Sequence, residues 1–235
     1  MKLYTISDLH LAVAVEKPMD IFGSDWTDYI VRLKTNWEAA IKPDDTVLLP
    51  GDMCWATYLE EAKPDFAWVH ALPGTKILSK GNHDYWWTTR TKMDEYLIAN
   101  NFYSIRILHN EAIRIGRFAI AGTRGWKAED DEDYTPEDAK IYAREYDRLK
   151  RSLEHAATFS ADEVIAVLHY PPFNSKREPC SFVKLLQTYG VKKCYYGHLH
   201  GKGRYAAVQG LCEGIEFKLI SSDQLQFQPW LIGEC

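Results

Sequence analysis

The sequence predicts a mixed α/β fold, and three observations carry that expectation. Short apolar runs alternate with segments of helical period, the pattern of parallel strands joined by crossover helices. The apolar runs stop abruptly at turn residues and at Asp, Asn or His. The composition, 46% hydrophobic, 13% aromatic and 26% charged, is that of an ordinary globular protein with a sizeable core. At 235 residues the chain is longer than one small domain and shorter than two ordinary ones, and it contains no linker, repeat or low-complexity stretch. A single domain spanning residues 1–235 is therefore expected.

Residues 2–7 read as a strand ending at Asp8-Leu9-His10. Residues 26–41 carry Tyr29, Ile30, Leu33, Trp37 and Ile41 at helical spacing, closed by Pro43. Residues 46–49 form a second strand stopped by Pro50-Gly51-Asp52, residues 58–72 a helix, and residues 76–79 a third strand before Gly81-Asn82-His83-Asp84. Residues 104–121 alternate as short strands around Asn110-Glu111 and Ile115-Gly116, a more antiparallel section. The longest helix is expected over residues 135–157. Thr135 is its N-cap, Pro136 its first residue, Glu137 and Asp138 its acidic first turn, and Ile141, Tyr142, Tyr146, Leu149 and Leu153 its apolar stripe. Residues 164–168 read as a strand ending at His169, residues 192–196 as another ending at Gly197-His198-Leu199-His200, and residues 204–208 and 215–220 as closing strands.

The formal charge of −5 gives no basis for recruiting nucleic acid or an anionic membrane. Five cysteines are odd in number, scattered, and form no Cys-x-x-Cys pair, so they read as reduced thiols. The apolar N-terminal stretch is broken by Asp8 and His10 and lacks the basic region and cleavage site of a signal peptide. No apolar run is long enough to span a bilayer. A cytoplasmic location is the expectation.

Five predicted strands are each followed by metal-capable residues: Asp8 and His10, Asp52, Asn82 and His83, His169, then His198 and His200. In open α/β sheets ligands bind outside the carboxyl ends of the strands. One histidine after a strand is usually an ordinary surface or core group, but five such places in one chain point to a common site. The donors are carboxylate, amide and imidazole with no thiolate, which suits Mn, Fe, Ni or Zn rather than a structural zinc cage.

Asp8-x-His10, Gly51-Asp52, Gly81-Asn82-His83-Asp84, His169 and Gly197-His198-x-His200, in this order, resemble the calcineurin-like metallophosphoesterase superfamily. The resemblance implies a four-layer α/β/β/α sandwich of two mixed sheets flanked by helices. It also implies two divalent ions, with manganese expected first. One ion would be held by Asp8, His10, Asp52 and His200, the other by Asp52, Asn82, His169 and His198, with Asp52 bridging. His83 would face the substrate and Asp84 would orient it. The implied reaction is hydrolysis of a small phosphomonoester or phosphodiester, nucleotide-like ones included, by a metal-bridging hydroxide. A metal-dependent nuclease is the nearest alternative, disfavoured by the acidic charge. A non-catalytic interaction module of the same fold is disfavoured by the intact ligand set.

The sequence departs from many relatives in carrying Met53-Cys54-Trp55, rather than an acidic residue, after Gly51-Asp52. Cys54 reads as a small core hydrophobe. Trp55, Tyr85, Trp86, Trp126, Tyr170 and Phe173 follow predicted strand ends and are candidates to line the site, Trp55 and Trp126 foremost. Arg124, and Lys176 or Arg177, are candidates for a phosphate contact. The acidic run Glu129-Asp130-Asp131-Glu132-Asp133 reads as a solvated loop that disfavours polyanions. Its place before Thr135 favours a small phosphoester as the expected partner; a nucleic acid is disfavoured, and no membrane partner is expected.

Overall fold

The computed structural model describes residues 1–129 and 131–235. They divide into two compact units, one of Met1–Ile107 and Ile220–Glu234, the other of Leu108–Leu219 with Cys235.

The first unit is built on strands β1 (Lys2–Thr5), β2 (Thr46–Pro50), β3 (Thr75–Ser79) and β4 (Ile105–Ile107), with helices α1 (Tyr29–Ala40), α2 (Lys63–Ala71) and α3 (Arg90–Ala99) between them. β1 to β4 run parallel, Leu3 opposite Thr46, Thr46 opposite Thr75 and Lys76 opposite Ile105. The final strand of the chain adds an antiparallel edge beside β1, Lys2 opposite Glu234. Every residue of β2 is buried, as expected for a central parallel strand. Leu33 and Trp37 of α1, Phe66 and Val69 of α2, and Met93 and Leu97 of α3 pack with Tyr4, Val47, Leu49 and Leu78 in one core.

The second unit holds strands β5 (Ile113–Ile115), β6 (Phe118–Thr123), β7 (Glu163–Leu168), β8 (Lys193–Tyr196), β9 (Gly210–Cys212) and β10 (Ile215–Leu219), with α4 (Pro136–Ala156) and α5 (Ser181–Thr188). β6, β7, β8 and β10 are parallel in that order, and β5 and β9 close the two edges antiparallel. Tyr142, Leu149 and Leu153 of α4 and Phe182 and Leu186 of α5 share a core with Ala121, Leu168, Tyr196 and Leu219. The expected two mixed sheets with helices are present; the closing edge strand is β11 (Trp230–Glu234).

The predicted cap of α4 holds. Thr135 Oγ1 accepts from the Asp138 amide at 3.2 Å while Asp138 accepts the Thr135 amide at 2.9 Å, a reciprocal capping box. Several expectations need correction. α1 begins at Tyr29 because residues 24–26 form a 3-10 turn, and α2 begins at Lys63, where Pro64 suits the first turn of a helix. Residues 104–121 are not one antiparallel section, since β4 joins β3 in parallel and only β5 and β6 form a hairpin. Residues 204–208 are not a strand: Gly201–Ala206 is a 3-10 helix, fastened where Arg204 Nε donates to the Gly201 carbonyl at 3.0 Å.

Lys76 is fully buried in β3, and its ammonium donates to the carbonyls of Leu72 at 2.6 Å and Gly74 at 2.8 Å just after α2. Burial lowers its pKa from 10.5 to about 8. Between those values the unfolded chain still holds a proton that the folded chain has released, so this group makes folding more favourable as pH rises. Chemical denaturation across pH 8 to 10.5 should show wild type gaining on the order of 3 kcal/mol relative to Lys76→Met. Parallel profiles for the two proteins would remove the buried ammonium from the account.

Candidate metal centre

In the first unit the chain crosses three strand ends, and the loops there are hydrogen-bonded to one another. The Asp8 amide donates to Gly51 O at 3.0 Å, His10 N to Asp52 O at 3.0 Å and Leu11 N to Met53 O at 2.9 Å. The third loop is fastened by Asp84, 1% exposed. Its carboxylate accepts the amides of Asp52 and Met53 at 2.9 Å each and of Gly81 at 2.7 Å. Asp84 thus acts on the backbone that carries Asp52; it does not cap a helix, and α3 takes Thr89 as its N-cap. Gly81 packs so tightly on Asp52 that an added Cβ would collide with the Asp52 carboxylate and amide.

This scaffold buries Asp8, Asp52 and His10 together. His10 Nε2 lies 3.9 Å from Asp8 Oδ1 and 3.7 Å from Asp52 Oδ2, too far for hydrogen bonds. Two donors each about 2.1 Å from one ion can be that far apart. Carboxylate oxygens of Asp8 and Asp52 approach within 4.8 Å, and two carboxylates buried this close repel unless a cation lies between them. The donors present therefore fit a divalent metal. Asp8, His10 and Asp52 all adopt left-handed backbone, φ 58°, 46° and 55°, rare for non-glycine residues and concentrated at functional sites. Ser7 Oγ donates to Asp8 Oδ2, and Tyr29 Oη donates to the His10 carbonyl at 2.8 Å.

Asn82 and His83 are half-buried in the loop after β3, and the His83 amide donates to Asp52 Oδ1 at 2.8 Å. Trp55 stacks on the His10 ring at 4.7 Å and packs against His83 at 4.6 Å, so this aromatic residue does stand beside the predicted ligands. Trp86 is 1% exposed and belongs to the core, whereas Tyr85 is 62% exposed. Cys54 is buried in the core with its thiol pKa pushed up by burial, consistent with packing rather than metal ligation. Asp65 was not foreseen. It is buried on α2 and accepts the Val13 amide at 2.9 Å, fastening the loop beyond His10. Its signal in the sequence is a carboxylate among the apolar residues Phe66, Trp68 and Val69.

The second unit presents its predicted residues at the ends of β7 and β8. His169 is fully buried, its amide donating to Arg124 O at 3.1 Å and its carbonyl accepting from Gly197 N at 3.0 Å. His198, with φ 73°, lies 5.2 Å from His169 between ring centroids and packs tilted against Tyr170 at 4.0 Å. His200 is half-buried just before the 3-10 helix. Tyr170 contacts Trp126 at 5.0 Å, and Arg124 lies over Trp126 at 4.4 Å. Arg124 is committed within the protein, Nη2 3.3 Å from Glu145 Oε1, and Glu145 also accepts from Thr123 Oγ1 at 2.6 Å and Arg148 at 2.7 Å. Trp126 Nε1 donates to Asp138 at 2.8 Å.

Arg177 donates to the Tyr205 carbonyl at 2.6 Å. The acidic run is more than a solvated loop. Asp131 accepts the Ala128 amide at 3.0 Å and the Ser175 amide at 2.7 Å, and Asp133 pairs with Lys127 at 2.9 Å; Asp130 lies outside the described residues. A cavity of about 580 Å³ lies in this unit, and Tyr170, His198, Asp131, Glu132 and Asp133 are among the residues that line it.

The family profile for calcineurin-like phosphoesterase matches residues 1–202. Among solved structures the chain is similar to phosphopantetheinyl hydrolase from Mycobacterium tuberculosis, at 16% identity and TM-score 0.56 over 99% of this chain and 95% of that one. It is also similar to a protein of unknown function from Aquifex aeolicus, at 18% identity and TM-score 0.51 over 98% and 95%. A protein from Thermus thermophilus matches at 13% identity and TM-score 0.51 over 84% and 81%. These likenesses show the fold. No curated protein matches the chain.

Replacing Asp84 by Asn removes the charge and leaves one acceptor oxygen for three buried amides. Urea denaturation should register a loss of about 2–3 kcal/mol. A loss below about 0.5 kcal/mol, the scale of an ordinary surface change, would show that the three amides do not depend on this carboxylate.

Proposed function

The chain belongs to the calcineurin-like phosphoesterase family and is a metal-dependent phosphoester hydrolase, and from that premise we propose that it cleaves a small phosphomonoester or phosphodiester with two divalent ions, manganese first among them. The observation that carries the reading is the buried Asp8, His10 and Asp52 cluster on left-handed backbone. One ion is assigned to Asp8, His10, Asp52 and His200, and the second to Asp52, Asn82, His169 and His198. When bound, the pair supplies Lewis-acid stabilisation of the phosphoryl oxygens and a water acidic enough to deprotonate near neutral pH.

The protein's own groups do the rest. Two aspartates against two divalent cations leave the centre cationic, which selects an anionic phosphoester over a neutral amide. Asp52, held by the Asp84 staple through its backbone, would offer its carboxylate to the metal from a fixed position. His83, with Nδ1 3.5 Å from Tyr85 Oη, is the group that would donate a proton to the leaving oxygen. Trp55, stacked on His10, keeps water from one side of the site. Family residues 1–202 draw on both compact units, which supports one phosphoesterase domain over the whole chain. The free cysteines among the described residues support a reducing, cytoplasmic setting. No helix among those residues is long and apolar enough to cross a membrane.

Protein loaded with Mn²⁺ should hydrolyse p-nitrophenyl phosphate or bis-p-nitrophenyl phosphate, and His83→Ala should lower kcat by about 10²- to 10⁴-fold, the range of a general acid. No turnover of either ester by metal-loaded wild type would overturn the reading. Full activity in His83→Ala would remove the acid role alone, and strong preference for long DNA would favour a nuclease.

A further inference from the structure

We propose that the cavity beside His198 receives the alcohol portion of the substrate, and that it selects an alcohol with an apolar body and a cationic head. The inference rests on the phosphoesterase reading, because it takes His198 as the point where the phosphoryl group ends and the leaving group begins.

Two features with different origins meet in this cavity of about 580 Å³. Part of the lining is apolar, formed by Tyr170, Phe173, Leu199 and Val208, and Tyr170 packs in tilted contacts against the rings of both His198 and Trp126. A lining of that kind suits an alkyl or aryl body, and the faces of aromatic rings attract an ammonium group. The lining also carries Asp131, Glu132 and Asp133 with one lysine, Lys127. That lysine is already occupied, 2.9 Å from Asp133 and 3.1 Å from Asp138, so it offers no net positive charge to an anionic ligand. Asp131 is spent on two backbone amides and holds the acidic segment against the Asn174-Ser175 turn. Glu132 is left as the exposed carboxylate of the rim.

Ligand charge at the two ends is thus specified in opposite senses. The phosphoryl end meets a cationic metal centre, and the far end meets carboxylates. A substrate with a second phosphate or a carboxylate in its alcohol portion would place like charges together. One with an amine or quaternary ammonium would place opposite charges together. Metabolites of the amino-alcohol phosphate type have this polarity, whereas nucleoside di- and triphosphates do not.

The test uses three para-substituted benzyl phosphates whose substituent is insulated from the reacting oxygen by methylene groups: trimethylammoniomethyl, its neutral isostere neopentyl, and carboxymethyl. With the Mn²⁺-loaded protein, kcat/KM should be about five- to tenfold higher for the ammonium ester than for the neopentyl ester, and lowest for the carboxylate. Glu132→Gln should narrow the ammonium-to-neopentyl ratio and Glu132→Lys should invert it. Calorimetric binding of the trimethylammonium-bearing benzyl alcohol should be present in wild type and absent in Glu132→Lys. Turnover of all three esters at equal kcat/KM would overturn the cavity inference and leave the phosphoesterase reading standing. If none of the three monoesters is hydrolysed, p-nitrophenyl phosphate and bis-p-nitrophenyl phosphate decide the phosphoesterase reading, and no turnover of either overturns it. The calorimetry then decides the cavity by itself: binding lost in Glu132→Lys upholds its preference for cations, and no binding to wild type overturns it.

Discussion

One carboxylate, Asp84, holds the business end of the first sheet. Three amides from two loops, those of Asp52, Met53 and Gly81, converge on it. Three amides of the loop after β1 then bond to carbonyls of the loop after β2. The result is a single hydrogen-bonded block in which Asp8, His10 and Asp52 have no freedom to relax. That rigidity matters because each of the three sits at positive φ, a conformation costing on the order of 1–3 kcal/mol per residue that persists only where the surroundings over-determine it. Gly81 is part of the same constraint, since its lack of a side chain lets the third loop lie against the Asp52 carboxylate. Two buried carboxylates set close together are unfavourable in isolation, and a divalent ion is what turns the arrangement into a stable one.

The second unit adds ring contacts to the backbone hydrogen bonds that hold His169. Glu145, 1% exposed on α4, pairs with Arg124, and the guanidinium lies over Trp126, which touches Tyr170, which packs tilted against His198. Each neighbour contributes only a modest contact energy, but together they fix the plane of an imidazole held at φ 73°. Arg124 and Trp126 thus connect α4 to the Tyr170 and His198 rings. Selectivity is left to the cavity and its acidic rim.

Much of this was legible in the sequence because the informative residues are those whose chemistry is hard to explain as packing. Asp, Asn and His at five strand ends stood out against apolar runs, and the Thr135 cap with Pro136 marked α4 to the residue. What was hidden follows from weaker local signals. α3 buries only Met93 and Leu97, too sparse a stripe to announce a helix. α5 is eight residues long, and β11 is an edge strand with Trp230 and Leu231 partly exposed. The positioning roles of Asp84, Asp65 and Glu145 depend on partners tens of residues away along the chain, and spacing alone could not place them.

The net charge of −5 takes on a different meaning with the site in view, because two of those negative charges are buried where divalent ions are to bind. In the proposed site Asp52 is the ligand shared between two ions. Metal analysis after equilibrium dialysis against Mn²⁺ measures this most directly. Wild type should retain two ions per chain and a folded Asp52→Asn variant should retain neither at the same free metal concentration. A variant that still holds one ion with unchanged affinity would contradict the shared ligand and the account built on it.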